Sequence, residues 1–176
     1  MRKVLFLDRD GVINIDYGYV YQWDNFDFIP GVIEALQLFS LHGYGLIIVT
    51  NQSGIGRGFY SETDFNILSR KMCFFLENHG VVIEDIFYCP HEPSLRGEEQ
   101  CECRKPSPGL IMQATQKYEL NLNLSVLVGD KETDIEAGEA AGVGLNVLVG
   151  KSNTNHHGNY YKDLLTFAHC HLSLDS

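Results

Sequence analysis

The chain contains few basic residues for its length. Its 176 residues include 13 Lys and Arg against 23 Asp and Glu, which gives a formal net charge of -10 at pH 7. A surface that binds nucleic acid needs clustered Lys and Arg to contact the phosphates. We therefore exclude nucleic acid as a partner. An anionic ligand would have to be held by a small local group of cations or by a metal ion.

Long hydrophobic runs are absent as well. The apolar run near the amino terminus extends only from Val4 to Leu7 before Asp8. It is too short for the core of a signal peptide or for a membrane-spanning helix. The sequence thus predicts a cytoplasmic protein without a membrane partner. No large apolar face is left unassigned in the predicted elements, so we expect a monomer.

Cysteine is sparse, and its distribution is uneven. A chain of 176 residues buries enough surface to fold as one domain, over residues 1–176, without disulfide bonds. Its five cysteines should be reduced in the cytoplasm. Three of them, Cys89, Cys101 and Cys103, lie close together in the sequence. That clustering indicates a metal site rather than a disulfide.

Several apolar runs, each ending abruptly in polar residues, predict buried strands. The clearest cover residues 4–7, 46–49 and 126–128. Near-continuous apolar runs of this kind are typical of parallel sheets, whose strands are covered on both faces. Residues 82–88 and 145–149 are two further candidates for strands.

Helical periodicity separates the predicted strands. Apolar residues at three- and four-residue spacing predict one helix through residues 32–39 and another through residues 65–76. A third helix should begin near Pro108, where proline suits the first turn. A fourth is expected over residues 133–141 and a last one over residues 160–167. Because strands and helices alternate, the sequence predicts an α/β fold with a parallel sheet.

Polar residues follow three of the predicted strands. Asp8 and Asp10 follow the first, Thr50 and Asn51 follow the second, and Asp130 follows a third. In open α/β sheets, ligands bind outside the carboxyl ends of the strands. We therefore expect these five side chains to converge on one crevice, although any one of them alone is more simply explained as a loop or capping residue.

Four segments, in this order along the chain, resemble the motifs of the haloacid dehalogenase superfamily. They are Asp8-Arg9-Asp10-Gly11-Val12, Thr50, Lys105 ahead of a helix, and Gly129-Asp130-Lys131 with Asp134. Four motifs in order are far more specific than one Asp-x-Asp-Gly. One departure is Val12, where the superfamily often has threonine. The resemblance implies a three-layer, Rossmann-like parallel sheet flanked by helices, and a magnesium-dependent phosphatase.

The same resemblance implies a role for each motif. Asp8 would attack phosphorus, and Asp10 would protonate the leaving group and then activate water. A Mg²⁺ ion would offset the repulsion between Asp8 and a phosphate dianion, which at about 4 Å is on the order of 4 kcal/mol per pair of unit charges at an effective dielectric of about 20. The catalytic residues would be Asp8, Asp10, Thr50 and Lys105. The magnesium site would comprise Asp8, the backbone carbonyl of Asp10, and Asp130, with Lys131 and Asp134 beside it.

A second group of side chains has the chemistry of a zinc site. Three thiols and one imidazole match a closed tetrahedral structural site. The surrounding loop, about 89–104, holds few apolar residues to order it. Its spacing is not that of a zinc finger, and the alternative is a chance group of reduced cysteines beside a surface histidine. The predicted Zn²⁺ ligands are Cys89, His91, Cys101 and Cys103.

Further segments resemble the D-glycero-D-manno-heptose 1,7-bisphosphate 7-phosphatase family, which lacks a large cap domain. They are Asp16-Tyr17-Gly18-Tyr19, Thr50-Asn51-Gln52-Ser53, Tyr88-Cys89-Pro90-His91 and Cys103-Arg104-Lys105-Pro106. The resemblance implies a sugar bisphosphate substrate, with Arg104 on its second phosphate and the zinc loop as a small specificity lid. The substrate-binding residues would be Asp16, Tyr17, Gly18, Tyr19, Asn51, Gln52, Ser53 and Arg104.

Two other functions stay open on the sequence. Histidinol-phosphate phosphatases are similar in the catalytic motifs and in the zinc loop. From a different class, the chain would be a zinc-stabilised binding module without catalytic activity. If the substrate is the heptose bisphosphate, the resemblance implies a place in the synthesis of lipopolysaccharide core or of a surface glycan. The preferred anomer of the sugar distinguishes these two pathways.

Overall fold

The computed structural model describes residues 1–95, 101–150 and 158–173. The strands in these residues are β1 (Val4–Leu7), β2 (Gly45–Asn51), β3 (Asp85–Cys89), β4 (Val126–Gly129), β5 (Leu145–Val149) and β6 (Asn159–Tyr161). They form one sheet in the order β3-β2-β1-β4-β5-β6, and every neighbouring pair is parallel. The predicted α/β class with a parallel sheet is confirmed.

Six α-helices are present in the described residues. They are α1 (Val32–Leu41), α2 (Ser53–Gly56), α3 (Glu62–Glu77), α4 (Gly109–Tyr118), α5 (Glu132–Ala141) and α6 (Leu164–Leu172). A capping box starts α3, because Ser61 Oγ accepts from Asp64 N at 3.1 Å and Asp64 Oδ2 accepts from Ser61 N at 2.9 Å. Short 3-10 helices lie at Trp23–Asn25 and Leu122–Leu124.

The side chains of β1 point alternately to the two faces of the sheet, and this explains why the fold has three layers, with the sheet between two layers of helices. Leu5 and Leu7 pack into one apolar cluster together with residues of α1, α3 and α6. Val4 and Phe6 point the other way, into a second cluster with residues of α4 and α5. All four side chains are 0% exposed. Helices therefore cover both faces of the sheet, which is why this strand is apolar at every position.

The order of the strands positions the site. From β1 the chain builds outward through β2 to β3, then returns to the other side of β1 with β4. The order of the strands reverses beside β1, and such a switch point opens a crevice at the carboxyl ends of the strands. The residues that follow β1, β2 and β4 therefore meet at one edge of the sheet.

Two of the predicted boundaries differ from the structure. The ladder between β2 and β3 begins at Asp85, opposite Ile47, rather than at residue 82. Val82 is 62% exposed, because the chain just before it still closes the end of α3, where Val81 N donates to the carbonyl of Leu76 at 3.0 Å. The last helix starts at Leu164 instead of residue 160, since Asp163 accepts from Thr166 N at 2.8 Å and caps it.

The remaining expectations on architecture concern size and membranes. No large cap domain is inserted among the residues that the structure describes. In the same residues, no helix has the length and apolar character needed to cross a bilayer. The prediction of one domain over residues 1–176 stays a prediction, and residues 96–100 of the predicted zinc loop lie outside the described part of the chain.

Candidate active site

Asp8 lies immediately after β1 and is 6% exposed. Lys105 Nζ lies 3.0 Å from Asp8 Oδ1 and 2.6 Å from Asp134 Oδ1. It also donates to the backbone carbonyl of Val49 at 2.8 Å. Burial opposes the charge of Lys105, but Asp134 and Asp8 outweigh burial and raise the pKa of its ammonium group. A permanent positive charge is thus fixed between two buried carboxylates.

Three carboxylates, those of Asp8, Asp130 and Asp134, form an acidic cluster whose oxygens lie within 4.8 Å of one another. Burial raises the pKa of Asp8 to about 7, and the neighbouring carboxylates add to that effect against Lys105. Burial also raises the pKa of Asp130 to about 6. Asp130 Oδ1 is buried and has no hydrogen-bond partner in the described residues. A hard divalent cation such as Mg²⁺ fits this cluster, because it prefers carboxylate oxygens and would satisfy the excess negative charge.

Two glycines make room for the acidic cluster. A Cβ atom on Gly11 would lie 2.2 Å from Asp130 Oδ2, and the φ angle of Gly11 is +89°. A Cβ atom on Gly129 would lie 2.2 Å from the Cβ of Asp134. Any side chain at either position would displace a carboxylate. The glycines of the Asp-x-Asp-Gly and Gly-Asp segments therefore serve the close approach of the acidic side chains.

Asp10 is held by three donors outside the acidic cluster. Arg9 Nη2 donates to both of its carboxylate oxygens, at 2.9 and 3.0 Å. Asn14 Nδ2 donates to Asp10 Oδ1 at 3.0 Å, and Gln52 Nε2 donates to Asp10 Oδ2 at 2.9 Å. Arg9 is 1% exposed and also donates to the carbonyl of Val20 at 2.6 Å. The carboxylate of Asp10 is thereby fixed beside the cavity that Asp8 also lines.

A cavity of about 380 Å³ opens at this edge of the sheet. Lys131 Nζ lies 3.4 Å from Asp16 Oδ2 at its wall. Thr50 is 0% exposed, and its hydroxyl accepts from Gln52 Nε2 at 2.9 Å. Most of the site residues predicted from the sequence line the cavity, namely Asp8, Asp10, Asp16, Gly18, Tyr19, Asn51, Gln52, Ser53, Arg104, Lys105 and Lys131.

Tyr17 and Asn51 make contacts that their predicted roles do not include. Tyr17 is 58% exposed and lies outside the lining of this cavity, with its hydroxyl donating to Asp27 Oδ2 at 2.8 Å. Asn51 Nδ2 donates to the carbonyl of Lys105, and its Oδ1 accepts from Lys105 N, each at 3.1 Å. Asn51 therefore anchors the segment that carries the buried lysine.

Sequence reasoning missed Arg9 and Tyr60, and it gave Asp134 only a flanking position. Arg9 gave no signal, because an arginine in a loop is normally exposed. Tyr60, which lines the cavity and is 6% exposed, lies just before the cap of α3 and belongs to none of the motifs. Asp134 Oδ2 accepts from the backbone nitrogens of Asp130 and Lys131, both at 3.1 Å, so it also shapes the turn after β4.

The four predicted zinc ligands lie together. Cys103 Sγ lies 3.0 Å from Cys89 Sγ and 3.6 Å from Cys101 Sγ, and Cys89 Sγ lies 3.5 Å from Cys101 Sγ. His91 Nδ1 is 3.5 Å from Cys89 Sγ and 3.3 Å from Cys103 Sγ. These separations exclude disulfides, whose sulfurs lie about 2.05 Å apart. The three sulfur–sulfur distances are shorter than the roughly 3.8 Å expected between thiolates around a tetrahedral zinc ion.

Hydrogen bonds connect this Cys/His cluster to the cavity. Arg104 lines the cavity, and its Nη1 donates to the carbonyl of His91 at 3.2 Å. On the other side, Gly56 N donates to the carbonyl of Pro90 at 2.9 Å. The order of the cluster and the position of Arg104 are therefore linked.

The chain is similar in sequence to bacterial heptose bisphosphate phosphatases. A family model described as HAD-hydrolase-like matches residues 102–165. The D-glycero-beta-D-manno-heptose-1,7-bisphosphate 7-phosphatase of Haemophilus influenzae is 49% identical over 151 residues, which are 85% of this chain and 82% of that protein. The protein of the same name from Escherichia coli is 46% identical over 148 residues, which are 82% and 78% of the two chains.

Two solved structures of heptose bisphosphate phosphatases are also similar to this chain. The D,D-heptose 1,7-bisphosphate phosphatase of B. bronchiseptica, solved with magnesium and phosphate, has a TM-score of 0.86 and 30% identity over 99% of both chains. The D,D-heptose 1,7-bisphosphate phosphatase of Burkholderia thailandensis has a TM-score of 0.69 and 29% identity, with 98% of this chain and 99% of that chain covered.

Proposed function

Because the chain belongs to the D-glycero-beta-D-manno-heptose-1,7-bisphosphate 7-phosphatase family of haloacid dehalogenase-like hydrolases, we propose that it hydrolyses the 7-phosphate of that heptose bisphosphate. The products are heptose 1-phosphate and inorganic phosphate. The beta anomer is the one in the names of its relatives. In this role the enzyme contributes heptose for lipopolysaccharide core or a surface glycan.

The observation that carries this proposal is the environment of Asp8. Its carboxylate lines the cavity, contacts the buried Lys105 and lies within 4.8 Å of the carboxylates of Asp130 and Asp134. A nucleophilic carboxylate needs nearby positive charge, because it approaches an anionic phosphate. Lys105 supplies one such charge from within the protein, and the acidic cluster suits a second one from a cation.

In the first step, Asp8 attacks the phosphorus of the 7-phosphate. An oxygen–phosphorus bond forms to Asp8, and the bond from phosphorus to the sugar oxygen breaks. Asp10 delivers its proton to the departing alkoxide, which leaves as a neutral hydroxyl. The donors that hold Asp10 keep this carboxyl group at the cavity wall.

In the second step, a water molecule attacks the phosphorus of the aspartyl phosphate. Asp10, now ionised, takes the proton from that water. The bond between Asp8 and phosphorus breaks, which regenerates the carboxylate and releases inorganic phosphate. Lys105 stabilises the returning carboxylate of Asp8 from 3.0 Å.

Mg²⁺ would be held by Asp8, Asp130 and the backbone carbonyl of Asp10. When bound, it supplies positive charge that offsets the repulsion between the carboxylates and the phosphate. The acidic cluster, with the unpartnered Asp130 Oδ1, supports this assignment. Asp134 keeps Lys105 in place through their 2.6 Å contact.

The Cys/His cluster would hold one Zn²⁺ ion with a structural role. Four ligands leave no open position for a substrate, as in closed structural zinc sites. The bound ion would order the loop after β3 and thereby place Arg104, which binds the 1-phosphate. Support for this comes from the bond between Arg104 and the carbonyl of His91. The residues proposed to touch the sugar are Asp16, Gly18, Tyr19 and Ser53, all of which line the cavity.

Phosphate release tests the proposal. Pure protein with Mg²⁺ is given both anomers of the heptose bisphosphate and, separately, histidinol phosphate. We expect the highest kcat/KM with the beta anomer, and heptose 1-phosphate as the product. A preference for histidinol phosphate would replace the proposed substrate. Failure to release phosphate from all three would favour a binding module without catalytic activity.

A further inference from the structure

We propose that Tyr60 is a positioning residue for proton transfer, because it fixes the Gln52 amide and, through it, the carboxylate of Asp10. Tyr60 belongs to none of the sequence motifs. The inference rests on the proposed phosphatase function and assigns to this residue a part in both chemical steps. Its action is indirect, since its hydroxyl donates to the side chain of Gln52 rather than to a reacting group.

A short chain of hydrogen bonds carries the argument. Tyr60 Oη donates to Gln52 Oε1 at 2.6 Å. Gln52 Nε2 donates to Asp10 Oδ2 and to Thr50 Oγ1, each at 2.9 Å. Both amide hydrogens of Gln52 are therefore used inside the protein, and neither is left for a ligand. Gln52 is 2% exposed, so water does not readily replace these partners.

Tyr60 anchors the far end of this amide. The two ends of a glutamine amide have nearly the same shape, but one accepts and the other donates hydrogen bonds. The carboxylate of Asp10 only accepts, so the nitrogen end of Gln52 faces it, and the phenol hydroxyl of Tyr60 donates to the oxygen end. If the amide turned over, its oxygen would lie at the carboxylate of Asp10, and two acceptors would face each other. Without the hydroxyl of Tyr60, the buried amide oxygen loses its donor, and the amide is held less firmly against Asp10.

Tyr60 is itself rigidly placed. It is 6% exposed, and its ring is stacked on that of Tyr21, with centroids 5.1 Å apart and an interplanar angle of 8°. Its Cε1 lies where a Cβ on Gly54 would come within 2.2 Å, so the glycine of helix α2 accommodates the ring. Burial raises the pKa of Tyr60 to about 12, so the phenol keeps its proton at neutral pH and donates it to Gln52.

Loss of the Tyr60 hydroxyl should affect substrates differently according to their leaving groups. An alkoxide needs a proton as it departs, whereas a nitrophenoxide leaves readily without one. A mispositioned Asp10 should therefore slow the cleavage of an alkyl phosphate and spare that of an aryl phosphate. The pair 4-nitrobenzyl phosphate and 4-nitrophenyl phosphate differs little in size and contains no sugar. Its kcat/KM values report the steps up to the transfer of the phosphoryl group to Asp8.

The test compares Tyr60→Phe with Tyr21→Phe, which removes a hydroxyl from the other ring of the same stack. For Tyr60→Phe we expect kcat/KM to fall about tenfold on 4-nitrobenzyl phosphate and on the heptose bisphosphate, with less than about a twofold change on 4-nitrophenyl phosphate. Tyr21→Phe should match the wild type on all three. In a Gln52→Leu background, Tyr60→Phe should have no further effect, because the two residues act as one unit.

Three results would overturn the inference. Equal losses on the two small substrates would indicate a general structural role. A loss confined to the heptose bisphosphate would indicate a sugar contact, and unchanged rates on all substrates would remove Tyr60 from the mechanism. If Tyr60→Phe does not fold, the selective loss in Gln52→Leu decides the case. Failure of the proposed function has another signature, since the wild type itself would then leave the heptose bisphosphate intact.

Discussion

The acidic cluster at the edge of the sheet and the Cys/His cluster after β3 are both groups of metal-binding side chains, but they differ in composition and access. The first contains hard oxygen ligands, a buried lysine and an open cavity. The second contains three sulfurs and one nitrogen. A metal site with hard oxygen ligands and an open side suits catalysis, whereas a closed set of soft ligands suits a structural metal ion.

The comparison also shows how the two regions are joined. Lys105 lies two residues after Cys103, and Arg104 between them contacts both the cavity and the carbonyl of His91. Under the proposed function, the Cys/His cluster would therefore help to position Arg104 and Lys105 at the cavity. Loss of the Cys/His cluster should therefore lower the activity at the acidic cluster. A change in the acidic cluster should leave the Cys/His cluster intact.

The largest effect on activity is expected from Asp8→Asn. Removal of the proposed nucleophile should lower kcat on the order of 10⁴-fold or more. The fold and the zinc content should not change, because burial and the neighbouring carboxylates outweigh Lys105 and disfavour a charge on Asp8. Phosphate release, thermal unfolding and elemental analysis check this, with Asp24→Asn on the exposed surface as the matched control. Substantial residual turnover would assign the nucleophile to another residue.

The next effect should come from the Cys/His cluster. Cys103→Ser should reduce the zinc content from about one ion per chain and lower the free energy of unfolding by more than about 3 kcal/mol. It should also lower kcat/KM, since Arg104 and Lys105 directly follow this cysteine. Cys170→Ser, at an exposed position outside the cluster, is the control. A zinc-free variant with full activity and unchanged stability would separate the two regions.

A smaller effect is expected where the two regions meet. Arg104→Ala should lower kcat/KM for the bisphosphate by roughly 10- to 100-fold, which corresponds to the loss of one charged hydrogen-bonding group. Rates with a heptose 7-monophosphate should change little, because that substrate lacks the second phosphate. The control is Arg57→Ala, whose guanidinium lies 3.4 Å from Glu92 in an exposed ion pair. An equal loss on both substrates would contradict the assigned contact.

The smallest effect should arise far from both clusters, at the cap of α6. Asp163→Ala should lower the free energy of unfolding by about 1 kcal/mol and leave activity and zinc content unchanged. Burial raises the pKa of Asp163, but hydrogen bonds from Thr166 outweigh it and lower the pKa below 3.8. A lowered pKa in the folded state stabilises the protein above the unfolded value. The difference between variant and wild type should therefore shrink in thermal melts as the pH falls below 3.8.

The residues of the two clusters could be predicted from the sequence, whereas other parts of the fold could not. Asp8, Thr50 and Asp130 were predictable, because buried parallel strands are continuous apolar runs and their ends are sharp. The proximity of the four Cys and His side chains was predictable, because such a group is rare in one loop. Strand β6 was missed, since its three residues pair at the edge of the sheet and have no period of their own.

Arg9 and Tyr60 were missed for a different reason. Their roles arise from contacts made across the fold, Arg9 to the carbonyl of Val20 and Tyr60 to Gln52. No local pattern distinguishes a buried arginine from an exposed one. Residues that position other residues are therefore the least visible part of a site in its sequence.

The proposed role of Asp8 is tested most directly by a crystal structure of the protein with Mg²⁺ and a fluoride-based mimic of the transferring phosphoryl group. We expect that the ion is bound by both Asp8 and Asp130, and that the mimic contacts a carboxylate oxygen of Asp8 within the cavity. An ion bound elsewhere, or a mimic that contacts Asp10 in place of Asp8, would contradict it.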